Sequence, residues 1–294
     1  MSDLKDWLKA AQKRVDSELK RQLPRESARP QTIHKAMRYS VFAGGKRLRP
    51  ILCLAAAEAC GGDSENALLP ACAVEVLHTY SLVHDDLPCM DDDDLRRGRP
   101  TSHKVFGEGI AVLTGDALLT EAFIMLANTP ATKRYNVGDY VKELAETGGS
   151  KKLIGGQVLD LEGEGQQLNK QQLIRIHEAK TAALLTSSIR LGAMTANATP
   201  AKLEALTTFG YNLGLAFQVI DDILDVTQTT EVLGKTAGKD ESVDKSTYPA
   251  ILGLEKSRKE AARLTKKALG ALDPFGKKAA RLEQIGRYLL DREY

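Results

Sequence analysis

The chain has 294 residues, 43% of them hydrophobic and 27% charged, which is the balance of a soluble globular protein with a substantial core in one or two domains. Lys and Arg total 41 against 39 Asp and Glu, so the net charge of +2 predicts no general affinity for nucleic acid, and 5% aromatic residues supply no base-stacking platform. Any charge that matters is therefore local.

The N-terminal stretch MSDLKDWLKAAQKRVDSELKRQ carries a charge every few residues and no apolar h-region, so it does not read as a signal peptide. It does carry a helical stripe, Leu4, Leu8, Ala11, Val15 and Leu19, and Ile33, Ala36, Met37 and Val41 mark the next. Further helical stretches are expected at 48–60, 65–87, 109–128, 136–159, 170–194, 200–226, 247–270 and 275–292, with breaks at Pro30, Gly44-Gly45, Gly61-Gly62, Pro100, Pro130, Pro200 and Pro274. No period-2 strand and no Asn-Gly hairpin signal stands out, and no run approaches the roughly 20 apolar residues that a membrane span requires, so stable membrane anchoring is not expected. Cys53, Cys60, Cys72 and Cys89 form no Cys-x-x-Cys pair and lie at no zinc-finger spacing from a histidine, which reads as free thiols in a reducing, cytoplasmic compartment. The stretches 170–194 and 200–226 are apolar on more than one face and belong inside a bundle. The expectation is one all-α domain over 1–294, about ten helices around a central cavity, because charged motifs far apart in sequence make sense only around one cavity.

The first charged motif is Asp85-Asp86-Leu87-Pro88-Cys89-Met90-Asp91, closing the apolar stretch HTYSLVH. The second is Asp221-Asp222-Ile223-Leu224-Asp225, closing NLGLAFQVI. Asp221 and Asp225 are one turn apart on one helix face, where two carboxylates repel unless a cation lies between them. Oxygen-only ligation by aspartate suits Mg²⁺, which keeps waters and shares its shell with substrate phosphates. Asp85 and Asp91 would lie about 240° apart on an ideal helix, so they share a metal only where Pro88 distorts it. An undistorted helix would pair Asp85 with Asp92 instead. The run is not an EF-hand, because the sixth position counted from Asp91 is Arg96, not Gly. A single acidic run is commonly a solvated cap; two, each closing an apolar helix, are a different matter.

The cations form a second set. Gly44-Gly45-Lys46-Arg47-Leu48-Arg49-Pro50 joins two helices and is no P-loop, since Arg47 follows Lys46 and Ser40 holds the upstream glycine position. Arg96-Arg97 follow the first acidic run, and Lys235, Lys239 and Lys245 follow the second. Together they suggest two kinds of anion handling, one through metal and one through Arg and Lys directly, as two diphosphates in one cavity would use.

These motifs resemble the trans-isoprenyl diphosphate synthases, especially bacterial short-chain farnesyl diphosphate synthases. GGKRLRP, HDDLPCMDDDDLRRGRPTSHKVFGE, GDALL, EAKTAALL, FQVIDDILD and GKDESVDKSTYP match in order, nearly end to end. The resemblance implies that Asp85, Asp86 and Asp91 face Asp221, Asp222 and Asp225 across several Mg²⁺ ions that hold the allylic diphosphate. It implies that Lys46, Arg49, His78 and Arg97 hold the diphosphate of isopentenyl diphosphate without metal. A histidine on an apolar helix is often a satisfied core residue, but His78 lies two turns from Asp85 on nearly the same face. Arg96, Lys180, Lys235 and Lys245 match contacts to the allylic diphosphate, while Lys239 fits less well and reads as surface. Thr181 and Gln218 match positions whose oxygens approach the allylic carbocation; without the family they would read as helix–helix hydrogen bonding. No dedicated side-chain base is evident, and in this family the released diphosphate is the implied proton acceptor.

Tyr80 lies five residues before Asp85, about 7.5 Å lower along the helix, and Ser81 one turn below it. A bulky Tyr80 and the two extra residues between Asp86 and Asp91 resemble the farnesyl-making (C15) subgroup, with geranylgeranyl (C20) as the alternative. A terpene cyclase would not need GGKRLRP and would normally replace the second aspartate motif; a non-catalytic partner subunit would tend to lose one motif. Family resemblance also implies a homodimer. Several relatives end in a basic tail, whereas this chain ends Arg292-Glu293-Tyr294.

Overall fold

A computed structural model of the chain describes residues 2–227 and 246–290. Among them α-helix dominates, as the 3.6-residue periodicity predicts, and one core draws on buried residues from Ala11 to Leu290. Helix α1 (Ser2–Gln22) lays the stripe Ala11, Val15 and Leu19 on this core, all three buried. Helices α2 (Gln31–Val41) and α3 (Leu48–Ala59) follow, and α3 is buried along most of its length. Helix α4 (Leu68–Asp85) packs between α3 and α6 (Glu108–Ala127), after the five-residue helix α5 (Ser102–Phe106).

The expected stretch 136–159 is two helices, α7 (Val137–Gly148) and α8 (Leu153–Gly163), with the chain turning at Gly149. Asn136 and Asp139 close a capping box at the start of α7, and Asn169 and Gln172 do the same for α9 (Lys170–His177). Helix α9 runs into α10 (Ala183–Thr195) through a π-helical segment, Glu178–Ala182. Helix α10 is the hub: it packs on α3 and on α11 (Pro200–Thr227). Contact with α3 is close enough that a Cβ on Gly192 would meet the Cys53 carbonyl at 1.9 Å, so any side chain there would separate the two helices. The expected stretch 247–270 also divides, into α12 (Tyr248–Leu252) and α13 (Leu254–Gly270), at Gly253 with φ 80°. Helix α14 (Ala280–Leu290) ends the described chain.

Two expectations need correction. A two-stranded antiparallel hairpin is present: Leu95–Arg96 pairs with Arg99–Pro100 around Arg97 (φ 54°) and Gly98 (φ 73°). Its strands of two residues are too short for any alternation to be legible, and Arg-Gly replaces the usual Asn-Gly in a turn that needs two left-handed residues. Secondly, α6 is long and apolar enough to cross a membrane by length and composition, contrary to the reading that no run approaches that limit. It has no single stripe because it is apolar on all sides. One side packs on α4 and α2, while Val112, Leu113 and Ile124 remain exposed on the other.

Candidate active site

The acidic loop after α4 is built by loss of helix. Asp86 N–H closes the last α-type bond, onto Leu82, and Pro88 has no N–H to continue it. The chain then folds back, so that Asp91 N–H donates to the Asp85 carbonyl at 2.8 Å and Asp92, at φ 49°, donates to Leu87 at 3.1 Å. Breaking the helix at Pro88 thus removes the 240° separation an ideal helix would impose on Asp85 and Asp91. The carboxyl of Asp85 is pushed up to about 6, first by burial and then by Asp91 and Asp86, against the pull of Lys180 and Arg96. A half-buried cluster of oxygen donors that destabilises its own charge in this way fits a divalent cation. Asp85 and Asp91 are the donors of this motif that fit best. Asp86 is buried, and its Oδ1 accepts from Arg96 Nε at 2.8 Å.

The second acidic motif ends α11. Asp221 and Asp222 border a cavity of about 210 Å³, together with Asp160, Lys180, Thr181 and Gln218. Asp222 accepts the backbone N–H of Tyr248 at 2.9 Å, which fixes the start of α12, and Asp225 is buried. Lys235, Lys239 and Lys245 lie outside the described residues, as does most of GKDESVDKSTYP.

Between the two acidic motifs stands the π-helical segment. Its extra residue per turn carries Lys180 and Thr181 to the border of both the 210 Å³ cavity and a neighbouring one of about 520 Å³. Helix α8 approaches so closely that a Cβ on Gly156 would lie 2.5 Å from the Lys180 amide nitrogen. Lys180 Nζ is 2.6 Å from Asp160 Oδ2, and Thr181 Oγ1 donates to Gln218 Oε1 at 2.5 Å. Asp160 was not singled out in the sequence. The signal available was its place one turn after Gly156 on a short helix rich in glycine, which says nothing of Lys180 some 20 residues on.

The larger cavity gathers five further expected residues. Asp85, Arg49, His78, Tyr80 and Ser81 line it with an apolar wall that includes Leu153, Ile154, Val158 and Leu161. Tyr80 is buried and meets His84 edge-on at 5.6 Å, and His84 Nε2 lies 2.9 Å from the Val112 carbonyl, so this pair wedges α4 against α6. Ser81 turns its hydroxyl back to the His78 carbonyl at 2.9 Å.

The GGKRLRP loop divides its cations. Arg47, left-handed at φ 52°, is buried and bonded to Asp16 at 2.8 Å, Glu75 at 2.9 Å and the Val41 carbonyl at 2.8 Å. Lys46 is exposed. Arg49 has a buried Nε with no partner among the described residues, and burial, aided by Arg97, lowers its guanidinium to about 10 against the pull of Glu75. Arg97 is lowered as well, by burial and by Arg47 and Arg96, while it donates to the Gly44 carbonyl. Gly45 (φ 113°) gives this guanidinium room, since a Cβ there would lie 2.5 Å from it. His78 is held well below its ordinary range by burial and then by Arg49 and Arg97, so its ring is neutral near pH 7. The structure therefore brings Arg49, His78 and Arg97 into one electrostatic cluster, with Lys46 exposed on the same loop.

Residues 30–286 match the polyprenyl synthetase family model. The chain belongs to the polyprenyl synthetase family. It is 53% identical over 268 residues to the chloroplastic geranylgeranyl pyrophosphate synthase of Capsicum annuum, covering 90% of this chain and 72% of that one. The FPP/GFPP synthase of Zymomonas mobilis superposes with a TM-score of 0.86 at 34% identity, covering 98% of this chain and 99% of the other. A geranyltransferase of Helicobacter pylori, solved with magnesium and isoprenyl diphosphate, superposes at 0.82 with 36% identity over 97% of this chain and 96% of its own. The family is that of isoprenyl diphosphate prenyltransferases, and the all-α isoprenoid synthase fold expected from the sequence is the one observed.

Proposed function

We propose that this prenyltransferase condenses isopentenyl diphosphate with allylic diphosphates in a Mg²⁺-dependent reaction whose product is geranylgeranyl diphosphate. One observation carries the chemistry: a single cavity combines Asp85, the under-neutralised Arg49 and neutral His78 with an apolar wall. Magnesium, when bound, would neutralise charge on the departing diphosphate, and Asp85, Asp91, Asp221 and Asp225 are the residues to hold it. Lys180, freed from Asp160, donates to the same diphosphate. Arg49, Arg97, His78 and Lys46 hold the diphosphate of isopentenyl diphosphate so that its double bond meets the allylic carbon. The carbon–oxygen bond to the leaving diphosphate breaks, the terminal alkene carbon bonds to the allylic carbon, and a proton next to the new cation passes to the released diphosphate. Leu153, Ile154, Val158 and Leu161 keep water from the cation, and Thr181, which lines the same cavity and is bonded to Gln218 in the neighbouring one, brings an oxygen to it.

The C20 product is the reading that likeness to the Capsicum enzyme supports. A second reading, the farnesyl product, is favoured by Tyr80, whose buried ring narrows the cavity against His84. A homodimer would cover the exposed apolar residues Val112, Leu113 and Ile124 of α6, and equilibrium sedimentation at twice the chain mass is the result that supports it.

The test is a product assay with purified protein, isopentenyl diphosphate, dimethylallyl diphosphate and Mg²⁺. Chromatography of the dephosphorylated alcohols gives C20 under the first reading and C15 under the second; no product with any allylic primer overturns both. Under the farnesyl reading, Tyr80→Ala lengthens the product, and an unchanged product would move the floor of the cavity elsewhere.

A further inference from the structure

The second half of the aspartate run meets helix α5, and neither Asp92, Asp94 nor His103 lines the cavity that holds Asp85. One carboxylate oxygen each of Asp92 and Asp94 and a ring nitrogen of His103 lie within 4.8 Å of one another. Both carboxylates are exposed, but His103 is only 7% exposed. Its neighbours favour one tautomer. The Thr101 hydroxyl lies nearest the Asp93 carbonyl, at 2.8 Å, and with its proton placed there the hydroxyl oxygen can accept from Nδ1–H of His103, 3.1 Å away. Nε2 is then the nitrogen with a lone pair, and it is buried with no hydrogen-bond partner among the described residues. A buried acceptor without a donor is destabilising unless something else takes the lone pair. A ring whose Nδ1–H is held by a neighbouring oxygen is the arrangement found in metal-bound histidines.

The scaffold that gathers these groups is fixed by backbone bonds. Thr101 N–H donates to the Asp94 carbonyl at 3.0 Å, and the hairpin pairs Leu95 with Pro100 and Arg96 with Arg99 between them. The start of α5 and the end of the acidic run are thereby held side by side. Lys104 Nζ, 2.7 Å from Asp94 Oδ1, partly neutralises that carboxylate.

We propose that Asp92, Asp94 and His103 form a second cation site, distinct from the carboxylates turned to the diphosphate, that takes a first-row transition-metal dication of the Zn²⁺ class. The imidazole donor sets this class: Mg²⁺ prefers oxygen alone, whereas mixed nitrogen and carboxylate ligation suits Zn²⁺ and its neighbours. Occupied, the site ties the acidic run to α5 and stiffens the hairpin that presents Arg96 and Arg97.

The experiment uses the full chain, freed of metal with a chelator and then held in excess Mg²⁺ to saturate oxygen-only sites. Zn²⁺ is titrated by calorimetry, and Co²⁺ is added separately to read its visible absorption. The expected result is one equivalent of Zn²⁺ and a Co²⁺ band of raised intensity, both retained in Asp85→Asn. Asp92→Asn, Asp94→Asn and His103→Gln each weaken Zn²⁺ binding by about tenfold or more. The two aspartates are exposed, so their variants keep the test readable should His103→Gln fail to fold, with helicity checked by circular dichroism. No Zn²⁺ binding above Mg²⁺, undiminished binding in Asp92→Asn and Asp94→Asn, or loss of the site in Asp85→Asn would each overturn the assignment.

Discussion

Arg47 and Arg49 stand two residues apart at the start of α3 and have opposite lives. Arg47 is enclosed by Asp16, Glu75 and the Val41 carbonyl, and despite burial these carboxylates hold its guanidinium above its ordinary value. Arg49 is half-buried among cations, with Nε unpartnered and its guanidinium lowered. The first is a satisfied charge that joins α1, α2, α3 and α4. The second is an unsatisfied charge that needs an anion from outside. One motif thus supplies both the anchor that fixes the loop and the group that the loop presents, and function resides where the electrostatics are left incomplete.

Breaking the anchor has the largest effect. Glu75→Gln leaves the buried Arg47 short of a counter-charge and is expected to cost about 3–5 kcal/mol of stability, read by chemical denaturation. A loss within experimental scatter of zero would show that Asp16 and the Val41 carbonyl suffice. Removing the presented group does the reverse. Arg49→Met is expected to raise KM for isopentenyl diphosphate by about 30- to 1,000-fold, the equivalent of about 2–4 kcal/mol. The same variant is expected to gain about 1 kcal/mol of stability without ligand, because a buried donor with no partner is gone. A destabilised Arg49→Met with normal KM would put Arg49 in the scaffold beside Arg47.

His78 gives the smallest effect and a sign. Its pKa is lowered on folding, so between the folded value and about 6.5 the unfolded chain binds the extra proton. Stability from this group is therefore present above about pH 6.5 and is lost as pH falls below it. His78→Gln is expected to flatten that part of the stability profile, and an unchanged slope would mean that the ring does not titrate against the Arg49 and Arg97 charges.

Much of this was legible in the sequence. The helical periodicity of α1, α4 and α11 marks their buried faces, and Pro88 announces the break that brings Asp91 back to Asp85. What was not legible depends on partners distant in the chain. Nothing in the sequence announces that Arg96 lies against Asp86 or that the Tyr248 amide donates to Asp222. The sequence EAKTAALL suggests an ordinary helix; only the close approach of α8 at Gly156 accompanies its π-helical turn, which brings Lys180 and Thr181 to both cavities. Within GGKRLRP nothing distinguishes Arg47 from Arg49 except the helices that surround them.

The proposed chemistry has one diphosphate held by cations alone and the other through metal. The most direct measurement is calorimetric binding of isopentenyl diphosphate, and separately of a non-ionisable allylic diphosphate analogue, with EDTA and then with Mg²⁺. Isopentenyl diphosphate is expected to bind equally in both and to lose its affinity in Arg49→Met, whereas the allylic analogue binds tightly only with Mg²⁺. Isopentenyl diphosphate binding that requires Mg²⁺, or survives intact in Arg49→Met, would contradict it.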